Sequence, residues 1–331
     1  MARPLLIRLP NWLGDLIQAL PVLNAAIRDP SPPTLFLGPA AFEPLLTPRF
    51  PGIPYIPWSR ERRFAAAGAI RRHRPGSALL LTDSLSSAIL VALSGVPERV
   101  GYAAEFRDPL LTRRVPRPTP SRSGPRVEEY AVLARAAGLE VTETLPRIRA
   151  LEEERAQAEA LLLERGVGAG PLAVLAPGAS YGPAKRWDPE SFAQVASALQ
   201  ARARPVLVGT KGDAGPAGGV ARILGPTAVD LTGSTDLPTL VGILDRSVLA
   251  VSNDSGVMHL AAALGTPTVA VFGSTSPIWS SAEAPWVRAL YAAYPCSPCF
   301  RRTCPIGYGC LRSIQPSRAI GAAEELLEAR R

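Results

Sequence analysis

Val248-Leu249-Ala250-Val251-Ser252, the stretch 257–264 and Thr268-Val269-Ala270-Val271-Phe272 decide the fold of this chain. The first and last are apolar runs with the length of buried strands, and the stretch between them has helical spacing. A strand, a helix and a strand so closely joined make a crossover between parallel neighbours. The plan recurs toward the N-terminus, with Leu172-Ala173-Val174-Leu175-Ala176 as a strand, 192–201 as a helix and Val206-Leu207-Val208-Gly209 as a strand. At the start of the chain, Leu5-Leu6-Ile7-Arg8-Leu9 reads as a buried strand and Pro10-Asn11-Trp12-Leu13-Gly14-Asp15 as a loop. An amphipathic helix follows, with Leu16, Leu20, Leu23 and Ile27 on one face. Leu35-Phe36-Leu37-Gly38 and Ala78-Leu79-Leu80-Leu81-Thr82 add strands. The expected class is α/β, with two Rossmann-like halves facing across a central cleft and ligands beyond the carboxyl ends of the strands.

The 331 residues leave room for two domains of about 150 residues each. The connection Gly166-Val167-Gly168-Ala169-Gly170-Pro171 is the expected boundary and hinge. It separates a first domain over 1–165 from a second over 171–315, with a closing helix over 316–331. Between about Arg107 and Arg126, Pro, Ser and Arg dominate, and a long exposed loop is expected.

Hydrophobic residues make up 47% of the chain and charged residues 19%, which excludes a disordered or tail-like protein. No run approaches the roughly 18 uninterrupted apolar residues of a membrane helix. Asn11, Asp15 and Gln18 break any signal-peptide core, so a cytoplasmic protein is expected. The formal net charge is +8, and only Lys185 and Lys211 among 36 basic residues are lysines. A GC-rich genome produces such an arginine excess. That is the leading explanation, and an anionic partner (a phosphate, a nucleic acid or an acidic headgroup) is the other.

Three constellations carry chemistry. In Asn253-Asp254-Ser255-Gly256-Val257-Met258-His259 a buried strand runs straight into a helix N-terminus, whose free N–H groups and partial positive charge suit a diphosphate. A capped helix of any α/β protein reads the same way. Pro177-Gly178-Ala179-Ser180-Tyr181-Gly182-Pro183-Ala184-Lys185-Arg186-Trp187 sets a rare lysine at a strand's carboxyl end, as a phosphate counter-charge or a solvated surface group. Gly14-Asp15 places a carboxylate after the first strand, as a general base or a helix cap.

These stretches, taken with Asn-Trp-Leu-Gly-Asp-Leu-Ile-Gln-Ala-Leu-Pro-Val-Leu at 11–23 and Leu-Gly-Thr-Pro-Thr-Val-Ala-Val-Phe-Gly-Ser-Thr-Ser-Pro at 264–277, resemble the lipopolysaccharide heptosyltransferases of glycosyltransferase family 9, above all the heptosyltransferase II branch. The resemblance runs in order over nearly the whole chain and is loose over 31–150. It implies a GT-B fold, with an acceptor domain first, a nucleotide-sugar domain second, and the closing helix packed back on the first. It implies inverting, metal-independent transfer of heptose from ADP-heptose to the lipid A–Kdo inner core, with no cofactor. It further implies peripheral contact with the inner face of the inner membrane.

Carried onto this sequence, the resemblance makes Asp15 the base and Lys185 the catalytic contact to the donor diphosphate. Ser180, Asp213, Asp254, Ser255, Gly256 and His259 become donor-binding residues, with Asp213 standing where a glutamate is more usual. Arg60, Arg63, Arg71 and Arg74 are expected to bind the anionic acceptor. Cys296, Cys299, Cys304 and Cys310 have a spacing that can close a structural zinc site, and equally suits a packed reduced cluster or an oxidisable pair. Two other classes compete. A GT-B epimerase or transferase would use another nucleotide-sugar, and donor incubated without acceptor separates that case. A basic nucleic-acid-binding protein lacks any recognised module here, and no nucleic-acid partner is expected.

Overall fold

A computed structural model of the chain describes residues 3–28, 32–59, 61–104, 106–117 and 122–329. Its contacts divide into two units, Met1–Pro146 and Arg147–Arg331.

The first unit grows from β1 (Leu5–Arg8), a fully buried strand. The elements α1 (Leu13–Arg28), β2 (Thr34–Pro39), α2 (Glu43–Leu46), β3 (Tyr55–Trp58), α3 (Arg63–His73), β4 (Ser77–Leu80), α4 (Leu85–Leu93), β5 (Glu98–Tyr102), β6 (Arg113–Val115) and α5 (Arg126–Ala136) follow. The strands form one parallel sheet in the order β3-β2-β1-β4-β5-β6. Helix α1 packs against α5 and α3 against α4. Right-handed crossovers set these pairs on opposite faces. Of the stretch 107–126, residues 118–121 lie outside the described residues, and 107–117 is not wholly the exposed loop expected from its composition. Arg113–Val115 extends the sheet beside β5, and Arg107, Leu111 and Val115 are buried.

The second unit repeats the topology with α6 (Glu152–Glu164), β7 (Leu172–Ala176), α7 (Pro189–Leu199), β8 (Arg204–Leu207), α8 (Ala214–Leu224), β9 (Val229–Asp230) and α9 (Leu237–Arg246). It continues through β10 (Leu249–Asn253), α10 (Gly256–Leu264), β11 (Thr268–Phe272), α11 (Pro277–Ser280), β12 (Val287–Tyr291), α12 (Gly309–Arg312) and α13 (Pro316–Glu328). Its sheet runs β12-β11-β10-β7-β8-β9, all parallel. Each sheet therefore has the Rossmann strand order, and each reverses direction once, between β1 and β4 and between β7 and β10. Ligands of such sheets bind at these reversals, outside the carboxyl ends. In the second sheet Ser252 pairs with Ala176 and Asn253 with Val271, so three strands end together.

Two expectations about the domains are corrected. The boundary falls at Pro146 and Arg147, not in the glycine-rich connection. Helix α6 turns Glu154, Ala158 and Leu162, one residue per helical turn, onto α9 of the second unit. The connection itself is pinned, since Arg204 and Arg246 donate to the carbonyls of Gly166 and Gly168, so it is no hinge. The closing helix α13 spends its apolar face on its own unit. Ala319, Ala323 and Leu326 lie in the core with Leu311, Phe192 and Trp187.

The α6–α9 contact is close enough to test. A Cβ on Gly242 would stand 2.2 Å from the Glu154 carbonyl oxygen and 2.7 Å from the Ala158 Cβ. Gly242→Ala is expected to destabilise the second unit by about 1–3 kcal/mol in chemical denaturation. An unchanged midpoint would contradict the assignment of α6 to that unit.

Candidate functional site

In the second unit the site is built around Asp254, the residue after β10. It is buried, and its carboxylate accepts Lys185 Nζ at 2.6 Å, Thr275 Oγ1 at 2.5 Å and Ser280 Oγ at 2.8 Å. His259 Nε2 stands 3.9 Å away. Burial alone would push this carboxyl up. The charge of Lys185, then that of His259 where acid protonates it, with hydrogen bonds from Lys185 and Thr275, holds it below the ordinary carboxylate value. Burial drives the His259 imidazole the other way, down to about 4, so it is neutral at neutral pH.

Four segments converge on that carboxylate. Lys185 ends a 3-10 turn, Pro183–Lys185, in the loop after β7. Asn253 fixes this loop to β10, its Oδ1 accepting Trp187 N–H at 3.0 Å and its Nδ2 donating to the Pro177 carbonyl at 2.7 Å. Thr275 and Ser280 come from the turn after β11 and from α11, and Ser274 N–H donates to the Ala184 carbonyl at 3.2 Å. Ser255 occupies the N-cap position of α10, but its hydroxyl pairs with Ser252 at 3.1 Å and caps no backbone group. The first N–H groups of α10, from Gly256 onward, have no partner within the helix and lie just after β10 and Asp254, the carboxylate that holds Lys185.

Asp213 joins the same edge. Its Oδ2 accepts Thr210 N–H at 3.0 Å and Thr210 Oγ1 at 2.7 Å, and Arg186 lies 3.9 Å from Oδ1. The carboxylate rests against Gly178, where any Cβ would come within 2.2 Å of it. Ser180 is exposed on the same loop. The structure thus brings Ser180, Lys185, Asp213, Asp254, Ser255, Gly256 and His259 to one end of one sheet.

The cysteine-rich segment has a role that its sequence did not disclose. Its backbone braces the lysine loop, with Ala184 N–H donating to the Arg302 carbonyl at 3.0 Å and Tyr181 Oη to the Phe300 carbonyl at 2.5 Å. The Tyr181 ring carries Lys185 Nζ at 5.0 Å and the Arg302 guanidinium at 5.4 Å. The four thiols are free. They lie near enough for Cys296, Cys299 and Cys304 to add to the burial that pushes Cys310 up. Yet among the described residues no group of three or more His, Cys, Asp and Glu side chains is arranged to hold a metal ion. Cys310 is packed into the core with Leu311, while Cys304 Sγ accepts Tyr308 N–H at 3.3 Å.

In the first unit Asp15 lies in the first turn of α1, just beyond the carboxyl end of β1. Arg126 Nε stands 3.7 Å from its carboxylate and Arg126 Nη1 2.6 Å from Glu129. Glu129 lies 3.8 Å from Arg117, which pairs with Asp83 at 2.7 Å. Burial opposes the charge of Arg126, but Tyr130, Asp15, Glu129 and Asp83 outweigh it and hold the guanidinium charged. Arg107, fully buried, donates to the carbonyls of Tyr102 and Thr82. Arg8, also buried, donates to Asn11 Oδ1 at 2.6 Å and so ties β1 to the loop that carries Asp15.

Sequence reasoning missed Arg8, Arg107, Asp83, Thr275 and Ser280. Arg8 inside an apolar strand and the polar run after β11 were readable signals. Arg107 offered none.

The structure does not bring the expected acceptor arginines together. Arg60 lies outside the described residues. Helix α3 runs antiparallel to its strands, so Arg63 opens it at the carboxyl edge while Arg71, in its last turn, and Arg74, its left-handed C-cap, lie at the amino edge. More than about 10 Å of helix separates them. Arg71 donates instead to the Leu93 carbonyl at 2.7 Å.

A family model described as glycosyltransferase family 9 (heptosyltransferase) matches residues 63–308. The chain is 30% identical to the lipopolysaccharide heptosyltransferase 2 of Escherichia coli K12 over 294 residues, 81% of this chain and 82% of that one. It is 25% identical to a lipooligosaccharide heptosyltransferase 2 of Campylobacter jejuni over 97% of this chain and 98% of that one. The solved structure of the E. coli ADP-heptose lipopolysaccharide heptosyltransferase II superposes with a TM-score of 0.83 at 27% identity, covering 100% of this chain and 99% of that one.

The buried imidazole makes a pH prediction. An unfolded histidine titrates near 6.5, so as pH falls from about 6.5 to about 4 the unfolded chain takes up a proton that folded His259 refuses. Stability present above that window is lost through it, by up to about 3 kcal/mol from this group. In urea titrations His259→Gln is expected to lose correspondingly less stability across the window than wild type. Equal losses would contradict a neutral buried imidazole.

Proposed function

The chain belongs to glycosyltransferase family 9, the heptosyltransferases, and from that membership we propose that it moves heptose from ADP-heptose to the lipid-linked inner core of lipopolysaccharide. It is a glycosyltransferase with the two Rossmann-like domains of the GT-B heptosyltransferases. The observation that carries the reading is a single lysine, fixed by a buried carboxylate beside the free amino end of α10 at the strand reversal of the second sheet. That pairing of a cation with unbonded N–H groups suits a diphosphate.

In the proposed reaction the acceptor hydroxyl gives its proton to the Asp15 carboxylate as its oxygen bonds the anomeric carbon. The bond from that carbon to the diphosphate oxygen breaks, and ADP leaves with the electron pair. Lys185 and the N–H groups of Gly256 and its neighbours meet the charge that develops on the leaving group. Ser180 and Ser255 offer hydroxyls to the phosphates. Asp213 offers its Oδ1 to a ribose hydroxyl while its Oδ2 stays bound to Thr210. Asp254 and His259 lie behind Lys185 and act through it. Arg126 holds Asp15 in place. A lipid-linked acceptor brings the protein to a membrane surface, and no helix among the described residues is long and apolar enough to cross one.

Mass spectrometry of the acceptor after incubation with ADP-heptose tests the reading directly, with donor alone as the arm that detects an epimerase. Gain of one heptose on the acceptor supports it; an altered donor without acceptor contradicts it. Asp15→Asn keeps the carboxylate's shape without its basicity and is expected to slow turnover by about 100-fold or more with ADP affinity unchanged. Lys185→Ala is expected to weaken ADP binding by about 10- to 100-fold in calorimetry. Near-normal turnover in the first variant, or normal ADP affinity in the second, would remove that residue from the mechanism.

A further inference from the structure

We propose that Arg302, in the cysteine-rich segment, is a second cation of the donor site and meets the diphosphate together with Lys185. A nucleotide-sugar carries a negative charge on each phosphate, and the leaving group gains another as the sugar departs, so one cation does not balance it. The side chains already gathered at the carboxyl edge of the second sheet supply less than one. The Lys185 ammonium is opposed by the buried Asp254 carboxylate at 2.6 Å. Arg186 lies 3.9 Å from Asp213 and is opposed in the same way. His259 is neutral at neutral pH. These two cations and two anions cancel, and what remains for a diphosphate is the partial charge at the amino end of α10.

The cysteine-rich segment brings the missing charge. Between Glu283 and Glu324 the chain has no acidic residue, and Arg302 stands within that interval. Its backbone is locked to the turn that ends at Lys185, since its carbonyl accepts Ala184 N–H at 3.0 Å. That approach needs a glycine at 182, where a Cβ would stand 2.6 Å from the Arg302 carbonyl oxygen. Two residues earlier, Phe300 N–H donates to the Ser274 carbonyl at 2.7 Å, which ties the segment to the turn that carries Thr275. The Arg302 side chain, by contrast, is exposed. Its guanidinium lies 5.4 Å from the centre of the Tyr181 ring, and Lys185 Nζ lies 5.0 Å from the same centre. Among the described residues, no carboxylate stands within ion-pair distance of that guanidinium, and it donates no hydrogen bond. One aromatic ring therefore gathers two cations, and Asp254 answers only the first. A diphosphate answers the second, and the planar guanidinium fork matches a phosphate's oxygens in pairs.

The inference rests on the proposed function for the identity of the donor. The test is calorimetric titration of the full chain with ADP, inorganic pyrophosphate and adenosine, for wild type, Arg302→Gln and Arg301→Gln, each with its melting temperature. Arg302→Gln is expected to weaken ADP and pyrophosphate binding by about tenfold or more, with adenosine affinity and melting temperature unchanged. Its ADP affinity is expected to fall less steeply with added salt, because one screened contact is gone. Arg301→Gln removes the same charge one residue away and is expected to stay within about threefold of wild type. Wild-type ADP affinity in Arg302→Gln would overturn the proposal, as would a wild type that binds neither ADP nor pyrophosphate. So would an equal loss in Arg301→Gln, which would make the effect one of net charge. A matching loss of adenosine affinity would overturn it too, by making Arg302 a support of the loop. Failure of the proposed function reads out separately, as wild type that binds ADP through Arg302 yet transfers no heptose.

Discussion

A carboxylate taken out of water must be met by charge and hydrogen bonds, and the way Asp254 is met organises the second unit. Lys185, Thr275 and Ser280 reach it from the loop after β7, the turn after β11 and α11. Three loops that otherwise share only a sheet edge are thereby drawn to one point. Losing one partner of such a buried pair costs roughly 3–5 kcal/mol, because the other charge is left without compensation. The arrangement therefore sets where the Lys185 ammonium stands as firmly as the backbone does. Asn253 below it and the cysteine-rich segment beside it hold the same loop from two further directions.

The first unit solves a different problem with different means. Asp15 sits on the first turn of α1 amid three arginines and two further carboxylates, Asp83 and Glu129, that compensate one another. Both Arg8 and Arg107 are wholly buried; Arg107 donates to main-chain oxygens, and Arg8 to the Leu9 carbonyl and to the side chains of Ser87 and Asn11. Part of the arginine excess is thus structural, stitching loop ends to the sheet. Another part, on α3, faces outward beside exposed apolar side chains.

The strand–helix alternation, both Rossmann halves and the segments bearing Asp15, Lys185 and Asp254 were legible in the sequence, because a buried parallel sheet writes itself as separated apolar runs. The unit boundary was not. The Ala158 and Leu162 stripe of α6 announces that the helix has a buried face, but not whether α9 or a neighbour in the first unit covers it. Arg71 and Arg74 looked like companions of Arg63 because they share a helix, and only the direction of α3 against its strands separates them. The cysteine spacing did not show that Cys310 packs with Leu311 in the core under α13. Arg107 gave no warning at all, since its acceptors are carbonyls from two other segments.

The central claim is that Asp254 serves the donor through Lys185 and not by touching it. A double-mutant cycle on ADP affinity tests this, using Lys185→Ala, Asp254→Asn and the two combined, each checked for folding by its melting curve. If Asp254 acts through the lysine, the combined variant binds ADP no more weakly than Lys185→Ala alone. Losses that add in full across the cycle would show that Asp254 meets the nucleotide independently and would contradict the account.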